Sequence, residues 1–142
     1  MKIALIVLAL VVLGLAIYLR LAPLDPADWH VDPARAPATG VAGHSASFDT
    51  DLAPAEALAR LDAIALGTTR TRRLAGSVEG GHVSYVTRSL LLGFPDITSV
   101  TAVPEGDRTR LVFFARQRFG RGDMGVNRAR LDAWTAALGK AP

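Results

Sequence analysis

The chain has 142 residues, no cysteine, 16 basic against 13 acidic residues and a net charge of +3. That length suits one domain, and the absence of thiols excludes a disulfide framework, a thiolate metal site and a cysteine nucleophile. Lys2 and Lys140 are the only lysines; the remaining cations are arginines, which pair bidentately with carboxylates and phosphates and keep their charge when partly buried.

Residues 3–19, "IALIVLALVVLGLAIYL", carry no charge. As a helix rising about 1.5 Å per residue the run spans roughly 25 Å. If Arg20 snorkels, Leu21 and Ala22 extend it towards the roughly 30 Å hydrocarbon core. Tyr18 falls where an interfacial aromatic belongs. The alternative is a cleaved signal, whose apolar region is about 7–15 residues long and ends at a small-x-small site. A cut after Ala22 would place Arg20 where a small residue is wanted. The sequence therefore predicts a retained single-pass transmembrane anchor over residues 1–22, in the cytoplasmic (inner) membrane. Lys2 and the terminal amine lie on one side and Arg20 on the other; the reading places the N-terminus in the cytoplasm and the domain in the periplasm.

Residues 23–47 are rich in Pro, Ala, Gly and Asp and read as a linker. "DWHVDP" (28–33) interrupts it, and its Trp29 is expected either at the membrane surface or docked on the domain. Residues 48–142 read as the folded domain. "FDTDLAPAEALARLDAIALG" predicts a helix capped by Thr50 or Asp51, with Pro54 in its first turn and Gly67 as its stop. Leu58, Leu61, Ile64 and Ala65 form its apolar stripe.

Four strands are predicted next, over residues 69–76, 82–91, 97–103 and 110–119. Glu79-Gly80-Gly81 and Pro104-Glu105-Gly106-Asp107 supply turns between them. In the last strand Leu111, Phe113 and Ala115 share one face, while Val112, Phe114, Arg116 and Arg118 share the other. A final helix is expected from Asp123, with Met124, Leu131, Trp134 and Leu138 in a narrow arc. Asn127 lies inside that arc, and a carboxamide facing a core costs about 1–3 kcal/mol unless it finds partners. The predicted core is Leu58, Leu61, Val83, Tyr85, Val100, Leu111, Phe113, Leu131 and Trp134.

The order helix, four strands, helix, with short turns, predicts an α+β two-layer sandwich. In it a four-stranded antiparallel meander carries two helices on one face. A meander brings alternate strand ends to one edge. Here that edge gathers Arg70, Arg72, Arg88, Asp96, Arg116 and Arg118, with Arg121, Asp123 and Asn127 from the start of the last helix. The candidate ligand-binding residues are Arg88, Asp96, Arg116, Arg118, Asp123, Asn127 and Arg130, forming either an anion site or a structural network. A small anionic molecule, a lipid headgroup or an envelope partner would suit them.

No catalytic residue, metal ligand or cofactor motif is assigned. The chain lacks a G-x-S-x-G elbow, a P-loop and a dinucleotide fingerprint. His30, His44 and His82 are dispersed, and nucleic-acid binding would need aromatics interleaved with the basic residues. "RGD" at 121–123 starts the predicted helix and is read as coincidence.

"TRSLLLGFPD" (87–96) followed by "ARQRFGRGDMGVNRARLDAW" (115–134) resembles the domain of unknown function 1499 family, which is widespread in bacteria. The likeness runs through Arg116, Arg118, Gly120, Asp123, Gly125, Asn127 and Arg130 and covers roughly residues 48–140. Gln117 stands where the family usually has serine, and Ile97 where a second aspartate is usual. The resemblance implies a fold and a motif but no reaction. The expectation is a membrane-anchored binding or structural domain. The alternative is an enzyme acting on an anionic substrate with Asp96 or Asp123 as acid or base. A carboxylate among arginines has its pKa lowered, which suits an ion pair better than a general base.

Overall fold

The computed structural model describes residues 1–36, 43–120 and 122–140. Helix α1 (Lys2–Leu21) is the charge-free run, 20 residues long and bare of protein along nearly all its length. It is long and apolar enough to cross a membrane. A short helix α2 (Pro26–Trp29) and a single 3-10 turn (Pro33–Arg35) follow, each started by an aspartate, Asp25 or Asp32, that accepts from the N–H two residues on.

The domain is α+β with a five-stranded antiparallel sheet, one strand more than expected. Strand β1 (Gly43–Thr50) precedes helix α3 (Pro54–Gly67); β2 (Thr71–Ser77), β3 (His82–Arg88), β4 (Pro95–Glu105), β5 (Arg108–Gln117) and helix α4 (Val126–Leu138) follow. The order across the sheet is β1-β5-β4-β3-β2. The meander is present as expected, and β1 extends it by pairing outside β5, Phe48 opposite Leu111.

Strand β1 covers the end of the expected linker and the first residues of the expected helix. Its sequence, "GHSASFDT", is small and polar, with little intrinsic strand preference. Of its hydrophobic side chains, Ala46 and Phe48 turn towards the core. Helix α3 accordingly begins later, on Pro54 at its first turn, with no side-chain cap. At the other end α4 begins at Val126 rather than Asp123, so Met124 is not part of its apolar stripe and stands fully exposed.

Helices α3 and α4 cover one face of the sheet, and every residue of the predicted core is buried there. Trp134 meets Tyr85 edge-on, ring centres 5.7 Å apart, and its Nε1 donates to Thr68 Oγ1. The Tyr85 hydroxyl donates to Asp62 at 2.8 Å, and Arg73 donates to the other Asp62 oxygen at 2.6 Å. Burial first, and the Asp62 carboxylate second, push the Tyr85 phenol far up.

The opposite face is covered by residues 19–35. Trp29 lies under the Arg116 guanidinium, 4.4 Å from its ring centre. His30 stacks on His82 with ring centres 3.9 Å apart, and its Nδ1 shares a 2.8 Å hydrogen bond with Ser84 Oγ, which in turn bonds Ser99. Asp32 accepts from Thr101, and Pro33 is buried. The stretch read as a linker is thus, over its first part, a strap across the sheet.

Candidate functional site: an arginine edge at the end of the apolar helix

The meander does bring the expected residues to one edge, but strand alternation divides them between the two faces of the sheet. On β4, Asp96 lies opposite Thr87 and Gln117, whereas Ile97 lies opposite Val86 and Arg116. Asp96 therefore faces the helices, and Arg116 faces the strap. A carboxylate in place of Ile97 would face Arg116, not join Asp96.

On the helix side, Asp96, Asp123, Asn127 and Arg130 form one network. Arg130 Nη2 pairs with Asp96 at 3.0 Å, and Nη1 donates to Asn127 Oδ1 at 2.7 Å. Asp123 accepts from the N–H groups of Asn127 at 2.8 Å and Gly125 at 3.0 Å, holding the first turn of α4. Gly125 itself has φ +81°, a conformation glycine reaches without strain. The partner that Asn127 needs is Arg130, one turn along its own helix, and not Arg88, Arg116 or Arg118. Among the described residues the Asn127 Nδ2 reaches no acceptor at hydrogen-bonding geometry, yet the carboxamide still favours the charged form of Asp123.

The two carboxyls move in opposite directions. Burial raises the Asp96 pKa despite Arg130, and Asp123 adds to the rise. This departs from the expectation that arginines would lower it: among the described residues only Arg130 pairs with Asp96. Burial pushes Asp123 up, but the hydrogen bonds it accepts, first from the N–H groups of Asn127 and Gly125, hold the carboxyl below its ordinary value. A cleft of about 450 Å³ opens beside them, its walls formed by Phe94 and Phe119 and its polar floor by Asp96, Gln117 and Asp123.

On the other side, Arg88, Arg116 and Arg118 hold backbone carbonyls. Arg88 Nη1 donates to Leu19 O at 3.2 Å and Gly93 O at 2.9 Å. Arg116 donates to Asp28 O at 2.7 Å, and Arg118 donates to Pro23 O. Arg20 donates to Leu91 O at 3.2 Å. The domain edge is thereby fastened to the last turn of α1, where the helix leaves its carbonyls without intrahelical donors. Leu19 and Ala22 are buried in this junction, and Tyr18 meets Phe119 edge-on at 6.3 Å.

Arg70 and Arg72 complete the edge and were not among the expected ligand residues. Arg70 takes φ +61°, uncommon for a non-glycine residue, and its Nε donates to Arg88 O at 3.0 Å. With Arg88 the two line a cleft of about 330 Å³. Burial lowers the Arg88 pKa, and repulsion from Arg72, Arg20 and Arg118 lowers it further. Arg121 was expected at this edge and lies outside the described residues.

A family profile described as protein of unknown function (DUF1499) matches residues 27–138. The chain belongs to this family. The match starts in the strap, so the DUF1499 region takes in Trp29 and His30 as well as the sheet and both of its helices. No curated protein matches the chain. Membership of DUF1499 fixes kinship and leaves the activity to be argued from the site.

Proposed function

We propose that this DUF1499 protein is a single-pass protein of the bacterial inner membrane whose periplasmic domain binds anionic groups at the membrane surface through its arginine edge. The phosphate of a lipid headgroup is the ligand chemistry that fits best.

One observation carries this reading: the arginines are partnered very differently at the two ends of the sheet. Away from α1, Arg108 pairs with Asp51, and Arg110 pairs with Asp49 and Glu105. At the α1 end, Arg20, Arg70, Arg72, Arg88, Arg116 and Arg118 have no carboxylate within ion-pair distance among the described residues. Cations gathered without ion-pair partners at the mouth of an apolar helix suit a negatively charged surface, where each is worth about 1 kcal/mol. Guanidinium forks match phosphate oxygens two at a time. Asp96 and Asp123, by contrast, are committed to Arg130 and to the start of α4, which is a structural assignment for both.

The test uses the full-length protein in uncharged maltoside micelles. Adding phosphatidylglycerol is expected to raise the melting temperature, because ligand bound only to the folded state stabilises it by about 2.7 kcal/mol at a hundredfold excess over Kd. Phosphatidylcholine is expected to do less, salt to erase the difference, and Arg70→Gln with Arg72→Gln to abolish it. Equal effects of the two lipids on the unaltered protein would defeat the reading.

A further inference from the structure

We propose that the loop at residues 89–93 enters the membrane interface beside α1, giving the domain a second, non-covalent contact with the bilayer. Leu90, Leu91 and Leu92 are 69%, 83% and 38% exposed and stand in a row. They border an apolar hollow of about 420 Å³ with Phe94. Across the neighbouring cleft stand Met124 and Val126, also exposed. Exposed apolar side chains gathered in this way mark an interaction surface.

Its position selects the occupant. Arg20 binds Leu91 O at 3.2 Å, and Arg88 joins Gly93 O to Leu19 O, so the loop is level with the last turn of α1. That turn carries Tyr18 and Arg20, the residue types that sit where hydrocarbon meets headgroups. Gly93 allows the close approach: it has φ +71°, and a Cβ there would lie 2.7 Å from Arg20 Cγ. If α1 spans the bilayer, a loop fastened to its last turn lies at the level of the headgroups.

Part of the loop backbone is paired within the protein, which lowers the cost of leaving bulk water. Ser89 N–H donates to Phe94 O at 2.9 Å, and Phe94 N–H donates to Ser89 Oγ at 2.9 Å. Leu91 O and Gly93 O accept from the two guanidiniums. The same arginines that hold the loop remain at headgroup level, where their charge is tolerated.

This inference rests on α1 being a retained anchor and is independent of any preference for anionic lipid. The absence of native cysteine makes the experiment direct. Full-length Leu91→Cys, and Asp107→Cys in the exposed β4–β5 turn as reference, are labelled with an NBD fluorophore and reconstituted in phosphatidylcholine vesicles. The label at position 91 is expected to emit at shorter wavelength, to be quenched several-fold more than position 107 by headgroup-proximal doxyl lipids, and to resist aqueous iodide. Leu90→Cys should behave likewise. Iodide quenching at position 91 equal to that at position 107 would overturn the proposal. So would shielding from iodide without lipid quenching, which would assign the loop to a protein partner. Stabilisation by phosphatidylglycerol with position 91 in water would defeat the loop alone. Lipid quenching at position 91 without lipid-charge preference would defeat the arginine reading alone.

Discussion

Asn127 is 1% exposed and polar, on a helix face otherwise made of Leu131, Trp134 and Leu138. What makes it acceptable there is Arg130, whose guanidinium it fixes against Asp96. Asn127→Leu adds apolar volume but removes the acceptor, so it is expected to destabilise by about 1–3 kcal/mol in urea melts. Arg130→Met leaves Asp96 without its cation. Breaking a buried pair costs about 3–5 kcal/mol, and the lower end is expected because Asp96 can take up a proton instead. The sign follows from its pKa, already above the ordinary 3.8 and raised further once Arg130 is gone. A raised carboxyl contributes stability fully present below its unfolded pKa and lost as pH rises through the folded value. The deficit of Arg130→Met relative to wild type should therefore shrink between pH 7 and pH 4. Trp134, 2% exposed, touches Tyr85 and Thr68; Trp134→Ala should cost about 3–5 kcal/mol.

Among the elements, α3, β3, β5 and α4 were legible because each carries its own period of apolar residues, while β2 and β4 were marked mainly by the turns beside them. The edge strand β1 was not legible, because its pairing with β5 and the burial of Ala46 and Phe48 decide its state rather than local preference. The strap, apart from the docking of Trp29 offered as one alternative, escaped for a different reason: it has no period at all and is held by single contacts from Trp29, His30, Asp32 and Pro33. Its histidine pair predicts a response to acid. Burial first, and His30 second, lower the His82 pKa below 6.5, while Asp32 and the Val31 backbone oppose them. A base with a lowered folded pKa contributes stability that is full above its unfolded value and lost as pH falls through the folded one. The strap is therefore expected to loosen as pH drops below about 6.5, read as the part of the tryptophan emission change that Trp29→Phe removes. His82→Phe keeps a ring for His30 to stack on and should flatten the transition; an unchanged transition would assign it to other groups.

At the scale of the whole molecule, the arrangement is polar along its length. The lipid-length helix ends among arginines, six of which have no ion-pair partner among the described residues, and the far end of the sheet carries arginines paired with acids. Exposed pairs such as Arg108–Asp51 add little stability, so their importance lies in how they neutralise that end. The convergence of Arg88, Asp96, Arg116, Arg118, Asp123 and Asn127 on one edge was readable from the meander. Their division into a structural network and a set of strap-holding cations was not drawn from it, although the alternation of Arg116 and Arg118 with Leu111 and Phe113 already contained that division. Nor could sequence spacing place Arg20 beside Leu91, since that contact depends on how the domain leans against the helix. Retention of α1 predicts that carbonate-washed membranes keep the full-length chain; release of a product starting near Pro23 would show a cleaved signal instead. The most direct test of the central claim is native mass spectrometry of the full-length protein from micelles containing equal phosphatidylglycerol and phosphatidylcholine. The account predicts preferential retention of phosphatidylglycerol, lost in Arg70→Gln with Arg72→Gln. Equal retention of both lipids by the unaltered protein would contradict it.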